Sequence, residues 1–380
     1  MNARTVIIVI AIVVGLWALL PVLAPQQGPV LSTWPGGSAG TSPVIRGAAE
    51  RQPAPDSAQT VAAIDQYLSG LTTSGQFSGA VLVAKNGAVV IARGYGAADA
   101  AGSVPNSPET RFRLASISKQ FTAMAIMQLV DRGQIGLDTP ACEYLDSCPA
   151  AWQRITVRHL LSHTSGLPNF TDFGSYEATM AQPTTPEDLV ARFRDQPLLN
   201  EPGAVYRYIN SGYVLLGVIV ERVGGTNYGE YLDEHVFGPL GMRESGYDLG
   251  GAGVAQGFDA PGLPCAVLHA STLFASGGLY SSVRDLYRWD QALYTSALLP
   301  DDLRAQMFTP QAGSYGFGWI ITQRGGQRSV EHPGLMSGAA TQIVRLPEAG
   351  ATVIVLSNLY TANVEAIASQ LVALTLDDGG

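Results

Sequence analysis

The chain has 380 residues, 46% of them hydrophobic, enough to build one large core or two interleaved ones. Its formal net charge of −9 leaves no basic footprint and speaks against nucleic acid as a partner. Three cysteines allow at most one internal bridge, and no C-x-x-C pair suggests a structural zinc site. At the start, Thr5–Ala24 runs for twenty residues without a charge, about 30 Å as a helix and so the thickness of a bilayer core. Arg4 precedes it and the next charge is Arg46, a bias that leaves the start in the cytoplasm and the rest outside. A cleaved signal peptide is the alternative, with Val22-Leu23-Ala24 as the cleavage site. Against it, the run exceeds the roughly 7–15 residues of a signal core, and Pro25 follows the cut. Both readings export the remainder to the periplasm or extracellular space, membrane-anchored in the first and secreted in the second. Residues 25–56 are rich in Pro, Gly, Ser, Ala and Gln and read as a linker. Gly36-Gly37-Ser38-Ala39-Gly40 spells a nucleophile elbow there, but that motif needs a strand before it and a helix after it.

Beyond the linker, Val61–Leu71 predicts a helix, and Ser78–Ala84 with Ala88–Gly94 predicts a hairpin about Asn86-Gly87. Phe121, Met124, Ile126, Met127, Leu129 and Val130 make the stretch after Ser116 apolar nearly all round, as in a buried central helix. Residues 136–269 break into short helices and proline-punctuated loops, with one longer apolar helix over Val214–Val223. A helix over Ser281–Leu293 follows, then strand-like runs at Tyr315–Thr322, Ser329–His332, Ala339–Leu346 and Ala351–Ser357, and a closing helix, Ala362–Leu376. Strands at both ends with helices between predict a mixed α/β (α+β) fold, one sheet completed by both termini plus a helical insert. The expected division is a sheet part at about 57–135 and 270–376 and a helical part at about 136–269. Cys142 and Cys148 close a short loop whose bridge would contribute about 2 kcal/mol, leaving Cys265 over, but spacing alone does not fix the pairing.

Chemistry concentrates at Ser116-Ile117-Ser118-Lys119. On a helix, residues three apart share a face. The first turn offers unpaired N–H groups and a positive dipole end to a developing anion. A hydroxyl beside an amine that burial can deprotonate is an activated nucleophile. The chain holds twenty arginines but only two lysines, Lys85 and Lys119, and a base is the role for which arginine is no substitute. Alone the motif is weak, since Ser116 serves as well as an N-cap and Lys119 as a snorkelling surface lysine. Tyr208 and Asn210 offer a second proton-transfer group and a side-chain amide, or simply ring packing and a helix cap. His332 stands two residues before Gly334, which permits close approach of a ligand to a strand. His159 and His163 have the i, i+4 spacing of a helical zinc pair, but Leu160 occupies the place of the glutamate in H-E-x-x-H and no third ligand is evident.

Together, Ser116-x-x-Lys119, Tyr208-x-Asn210 and His332-x-Gly334, in that order, resemble the penicillin-recognising serine hydrolases. The likeness is greatest to the class C β-lactamase group with its D-alanyl-D-alanine carboxypeptidase and esterase relatives. The segments 159–168 (HLLSHTSGLP) and 275–281 (ASGGLYS) match it too, so the likeness extends over about residues 60–375. The resemblance implies a β-lactamase/transpeptidase-like fold, an antiparallel sheet flanked by helices plus a mostly helical domain, with the site between. It implies Ser116 as the acylated nucleophile, Lys119 as its proton partner and Tyr208 as a proton relay. Asn210 would orient substrate, His332 and Gly334 would line the cleft, and the backbone N–H groups of Ser116 and Leu335 would form the oxyanion hole. The expected partner is a small-molecule or peptide-like acyl substrate, with no cofactor and no metal. His332 replaces the family's common lysine, which removes a fixed positive charge and favours neutral esters or amides over β-lactams. No residue stands out as a dedicated deacylation glutamate. The rival expectation is a catalytically inactive module for binding or sensing, against which the intact Ser116, Lys119 and Tyr208 count.

Overall fold

The computed structural model describes residues 57–250 and 253–376. The apolar stretch Thr5–Ala24, the linker and the Gly36–Gly40 motif lie outside the described residues. Asn86 (φ +53°) and Gly87 (φ +73°) both take the left-handed backbone that a tight hairpin turn requires. They join β1 (Gly79–Lys85) to β2 (Ala88–Tyr95). Four further strands come from the end of the chain: β3 (Ile320–Arg324), β4 (Gln327–Met336), β5 (Ala339–Leu346) and β6 (Ala351–Ser357). The sheet is antiparallel in the order β2–β1–β6–β5–β4–β3, so the first and last strands of the fold are partners, Gly79 opposite Ser357 and Lys85 opposite Ala351.

Both faces of this sheet are covered, which explains why β5 and β6 are buried along their whole length. Side chains alternate between faces along a strand. Val81 and Val83 therefore join Val353 and Val355 against α1 (Ser57–Thr73) and the closing helix, which supply Ile64, Leu68, Ile367 and Leu371. Ala80, Leu82, Ile354 and Leu356 face the other way, into the main core. That core is built around α2 (Ser118–Asp131), buried from Ser118 to Leu129. Next to it lie α3 (Asn210–Gly224) and α4 (Val283–Ala292), and α5 (Val364–Leu376) closes the chain. Shorter helices such as Val157–Leu161 and Pro186–Arg194 fill the region between α2 and α4.

Two local findings depart from the sequence reading. Ser116 sits not in the first turn of α2 but in a tight 3₁₀ turn, Ala115–Ile117, that leads into it. Ala115, at φ +48°, has a backbone no right-handed helix accommodates, so the helix starts after it. Within Tyr315–Thr322 only the end is strand. Gly318, at φ +77°, carries the chain across α2, where a Cβ would lie 2.8 Å from the Lys119 carbonyl oxygen. Cys142 and Cys148 are bonded, with Cα atoms 5.4 Å apart, and Cys265 is a half-buried free thiol.

Candidate active site

The Ser116 turn is fixed from two sides before any catalytic atom is considered. Phe112–Arg113 pairs with Leu279–Ser281, and the Leu114 N–H donates to the Leu279 carbonyl at 2.8 Å. The Leu279 N–H in turn donates to Ser118 Oγ at 3.2 Å. From the other side, Thr341 Oγ1 donates to the Leu114 carbonyl at 2.9 Å. Gly334 makes this approach possible, because a Cβ there would meet Thr341 Oγ1 at 2.2 Å and the Leu114 oxygen at 2.3 Å. A two-residue strand on one flank and β4 on the other thus present a half-buried Ser116.

Lys119 is fully buried, with Nζ 3.1 Å from Ser116 Oγ. It donates to Asn210 Oδ1 at 2.9 Å and to the Ser276 carbonyl at 2.8 Å. Asn210 is itself held, its backbone N–H donating to Asn169 Oδ1 at 2.9 Å and its Nδ2 to Thr171 Oγ1 at 3.2 Å. Desolvation drives the ammonium pKa well below its ordinary value, and among the described residues no carboxylate is hydrogen-bonded to Nζ to offset it. The rings of Tyr208 and Tyr213 lie 4.8 and 5.6 Å from Nζ.

Tyr208 enters from the stretch before α3, its hydroxyl near enough to Ser116 for that side chain to act on its pKa. It is 36% exposed, yet the protein packed around it pushes its phenol pKa up through desolvation, which keeps it protonated at neutral pH. His332, 1% exposed on β4, has Nε2 3.0 Å from the Tyr315 hydroxyl and Nδ1 2.7 Å from the Pro333 carbonyl. Burial, with the Lys119 charge second, lowers its pKa to about 3. β3 pairs with β4 only as far as Glu331, so from His332 onward the outer edge of β4 is left for the Ser116 turn. Leu335, 47% exposed, follows Gly334 on that edge.

The structure therefore brings Ser116, Lys119, Tyr208, Asn210, His332 and Gly334 to one place, with Leu335 at its rim. His159 and His163 do not lie on one helix. The helix Val157–Leu161 ends before His163, which has φ +59°, so the i, i+4 spacing spans no continuous helical face. His159 Nδ1 instead accepts from the Thr156 N–H at 3.2 Å, as part of a capping box. Among the described residues no group of three His, Cys, Asp or Glu is placed to hold a metal ion. Sequence reasoning overlooked Tyr315, Tyr213 and the Ser276 carbonyl. A backbone acceptor leaves no mark on composition, and a buried tyrosine reads as core.

Fold and site define a class, the serine hydrolases of the penicillin-binding-protein and β-lactamase type. The chain belongs to the Beta-lactamase family, which matches over residues 64–376. It is 31% identical over 317 residues to a penicillin-binding protein of Bacillus subtilis strain 168, covering 74% of this chain and 68% of that protein. The chain spans about two thirds of the length of the curated relatives it matches. A penicillin-binding protein from Bacillus halodurans superposes with a TM-score of 0.73 at 30% identity, over 81% of this chain and 99% of that one. The D-amino acid amidase of Ochrobactrum anthropi SV3, at 23% identity, shares the fold with a TM-score of 0.73, over 84% of this chain and all of that one.

Proposed function

We propose that this enzyme forms an acyl-enzyme on Ser116 and cleaves an ester or a peptide-like amide, with β-lactams as poor substrates. One observation carries the reading: a desolvated amine, Lys119 Nζ, lies 3.1 Å from Ser116 Oγ between two groups that only accept hydrogen bonds. A neutral amine has two N–H bonds, which Asn210 Oδ1 and the Ser276 carbonyl take up. Its lone pair is then left for the Ser116 hydroxyl proton. As Oγ bonds to the acyl carbon, that proton passes to Lys119. The oxyanion is held by the backbone N–H groups of Ser116 and Leu335. Tyr208 delivers a proton to the leaving alkoxide or amine as its bond to carbon breaks, and later takes one from the water that releases the acyl group. Asn210 and the β4 edge from His332 to Leu335 orient the substrate.

The preference for neutral substrates rests on His332. With a pKa of about 3 it carries no charge near neutral pH, so it offers a substrate carboxylate no cationic partner. The uncharged stretch Thr5–Ala24 supports a place outside the cytoplasm, tethered to the membrane. The test is hydrolysis of a short-chain p-nitrophenyl ester by the 57–380 portion and its Ser116→Ala variant. Activity lost in the variant is the expected result. Equal activity in both would show that the nucleophile lies elsewhere, and none in either folded protein would favour the binding module.

A further inference from the structure

His163 has no part in the chemistry proposed above, yet its placement at Tyr208 is specific. We propose that His163 is a positioning residue that holds Tyr208 at Ser116 by gripping the backbone on both sides of it. This deepens the proposed function and rests on reading Tyr208 as the proton-transfer group. The Arg207 N–H donates to the His163 carbonyl at 2.8 Å, and the Ile209 N–H donates to His163 Nδ1 at 3.3 Å. Between these two bonds, the His163 ring packs on the Tyr208 ring with centroids 4.4 Å apart. One residue thus engages the backbone before Tyr208, the ring of Tyr208 and the backbone after it.

The requirements are narrow. The carbonyl and the ring of residue 163 must both face residues 207–209, and His163 meets this with φ +59°, a conformation that costs a side-chain-bearing residue stability. Nδ1 must accept, so the ring proton sits on Nε2, which is buried and has no hydrogen-bond partner among the described residues. The ring must also be neutral, because a proton on Nδ1 would face the Ile209 N–H. Burial lowers the ring's pKa well below its ordinary value and so favours the neutral form. Behind it, the Tyr315 ring lies 4.5 Å from His163, and the Tyr315 hydroxyl is 3.0 Å from His332 Nε2, so the clamp is backed by β4. The segment it holds, residues 204–209, is neither helix nor strand, so no regular ladder of backbone hydrogen bonds fixes it.

Asparagine keeps an acceptor where Nδ1 stood and tolerates a left-handed backbone, whereas leucine fills the space without an acceptor. kcat and KM for the p-nitrophenyl ester are to be compared in His163→Asn, His163→Leu and Tyr208→Phe, with thermal melting to verify folding. A displaced catalytic group lowers turnover by about 10²-fold. The expected result is such a loss of kcat in His163→Leu at nearly unchanged KM, with most of it recovered in His163→Asn. Wild-type kcat in His163→Leu, or equal losses in the two variants, would overturn the clamp. Full activity in Tyr208→Phe would instead remove the reading of Tyr208 on which the clamp depends. If the leucine variant does not fold, ¹⁵N NMR of the wild-type protein labelled at histidine decides: a proton on Nε2 of His163 is expected, and one on Nδ1 would refute the proposal.

Discussion

Lys119 shows how a single position is set by its surroundings. A lysine with three hydrogen-bonding neighbours, none of them a carboxylate, is held where its charge is least welcome. Arginine would keep the charge, bring five donors where acceptors for three exist, and have no proton to accept. Lys119→Arg is therefore expected to reduce ester turnover by about 10²–10⁴-fold, the range of a lost general base, in steady-state assays. Wild-type turnover would exclude lysine as the base. Lys119 was legible in sequence because the chain uses lysine so sparingly. His163 was legible as half of a zinc spacing and as part of the family-like segment 159–168, but not as a neighbour of Tyr208. Its partners are the backbone N–H groups of residues 207 and 209, and nothing in their identity announces the contact.

Among the elements, β4 does the most to shape the cleft. It passes so close to the Ser116 turn that Gly334 has no room for a methyl group. Gly334→Ala places a Cβ against the Leu114 carbonyl, a backbone atom of the turn itself, which has to move. Overpacking of this kind destabilises by about 1–3 kcal/mol. The sharper expectation is a loss of kcat larger than that of stability, read by comparing turnover with urea unfolding of the same variant. Equal wild-type turnover would show that the turn and the strand are independent. The hairpin at Asn86-Gly87 and the runs Ala339–Leu346 and Ala351–Ser357 were readable because turn chemistry and apolar runs are local signals. The path of residues 315–319 was not, since Gly318 answers to the backbone of Lys119, far away in sequence.

The molecule as a whole carries a pH dependence that follows from its buried histidines. His332 titrates at about 3 when folded against about 6.5 when unfolded, and His163 is lowered in the same direction. Between those values the unfolded chain binds protons that the folded one refuses. The His332 contribution is therefore complete above about pH 6.5 and is lost as the pH falls toward 3, by about 1.4 kcal/mol per pH unit, with His163 and the depressed Lys119 adding losses in the same direction. Urea unfolding at pH 7, 6 and 5 is expected to show this slope, with a shallower one in His332→Gln, and a flat profile would contradict the burial of both rings. The same architecture bears on how the protein is made. Gly79 is paired with Ser357, and Ser116 depends on Ser276, Gly334 and Thr341. A ribosome that has delivered the nucleophile and its lysine has not yet delivered a catalyst. Synthesis must run almost to the end before β6 can close the sheet, so the nascent chain stays chemically silent and a product truncated before β4 is inert.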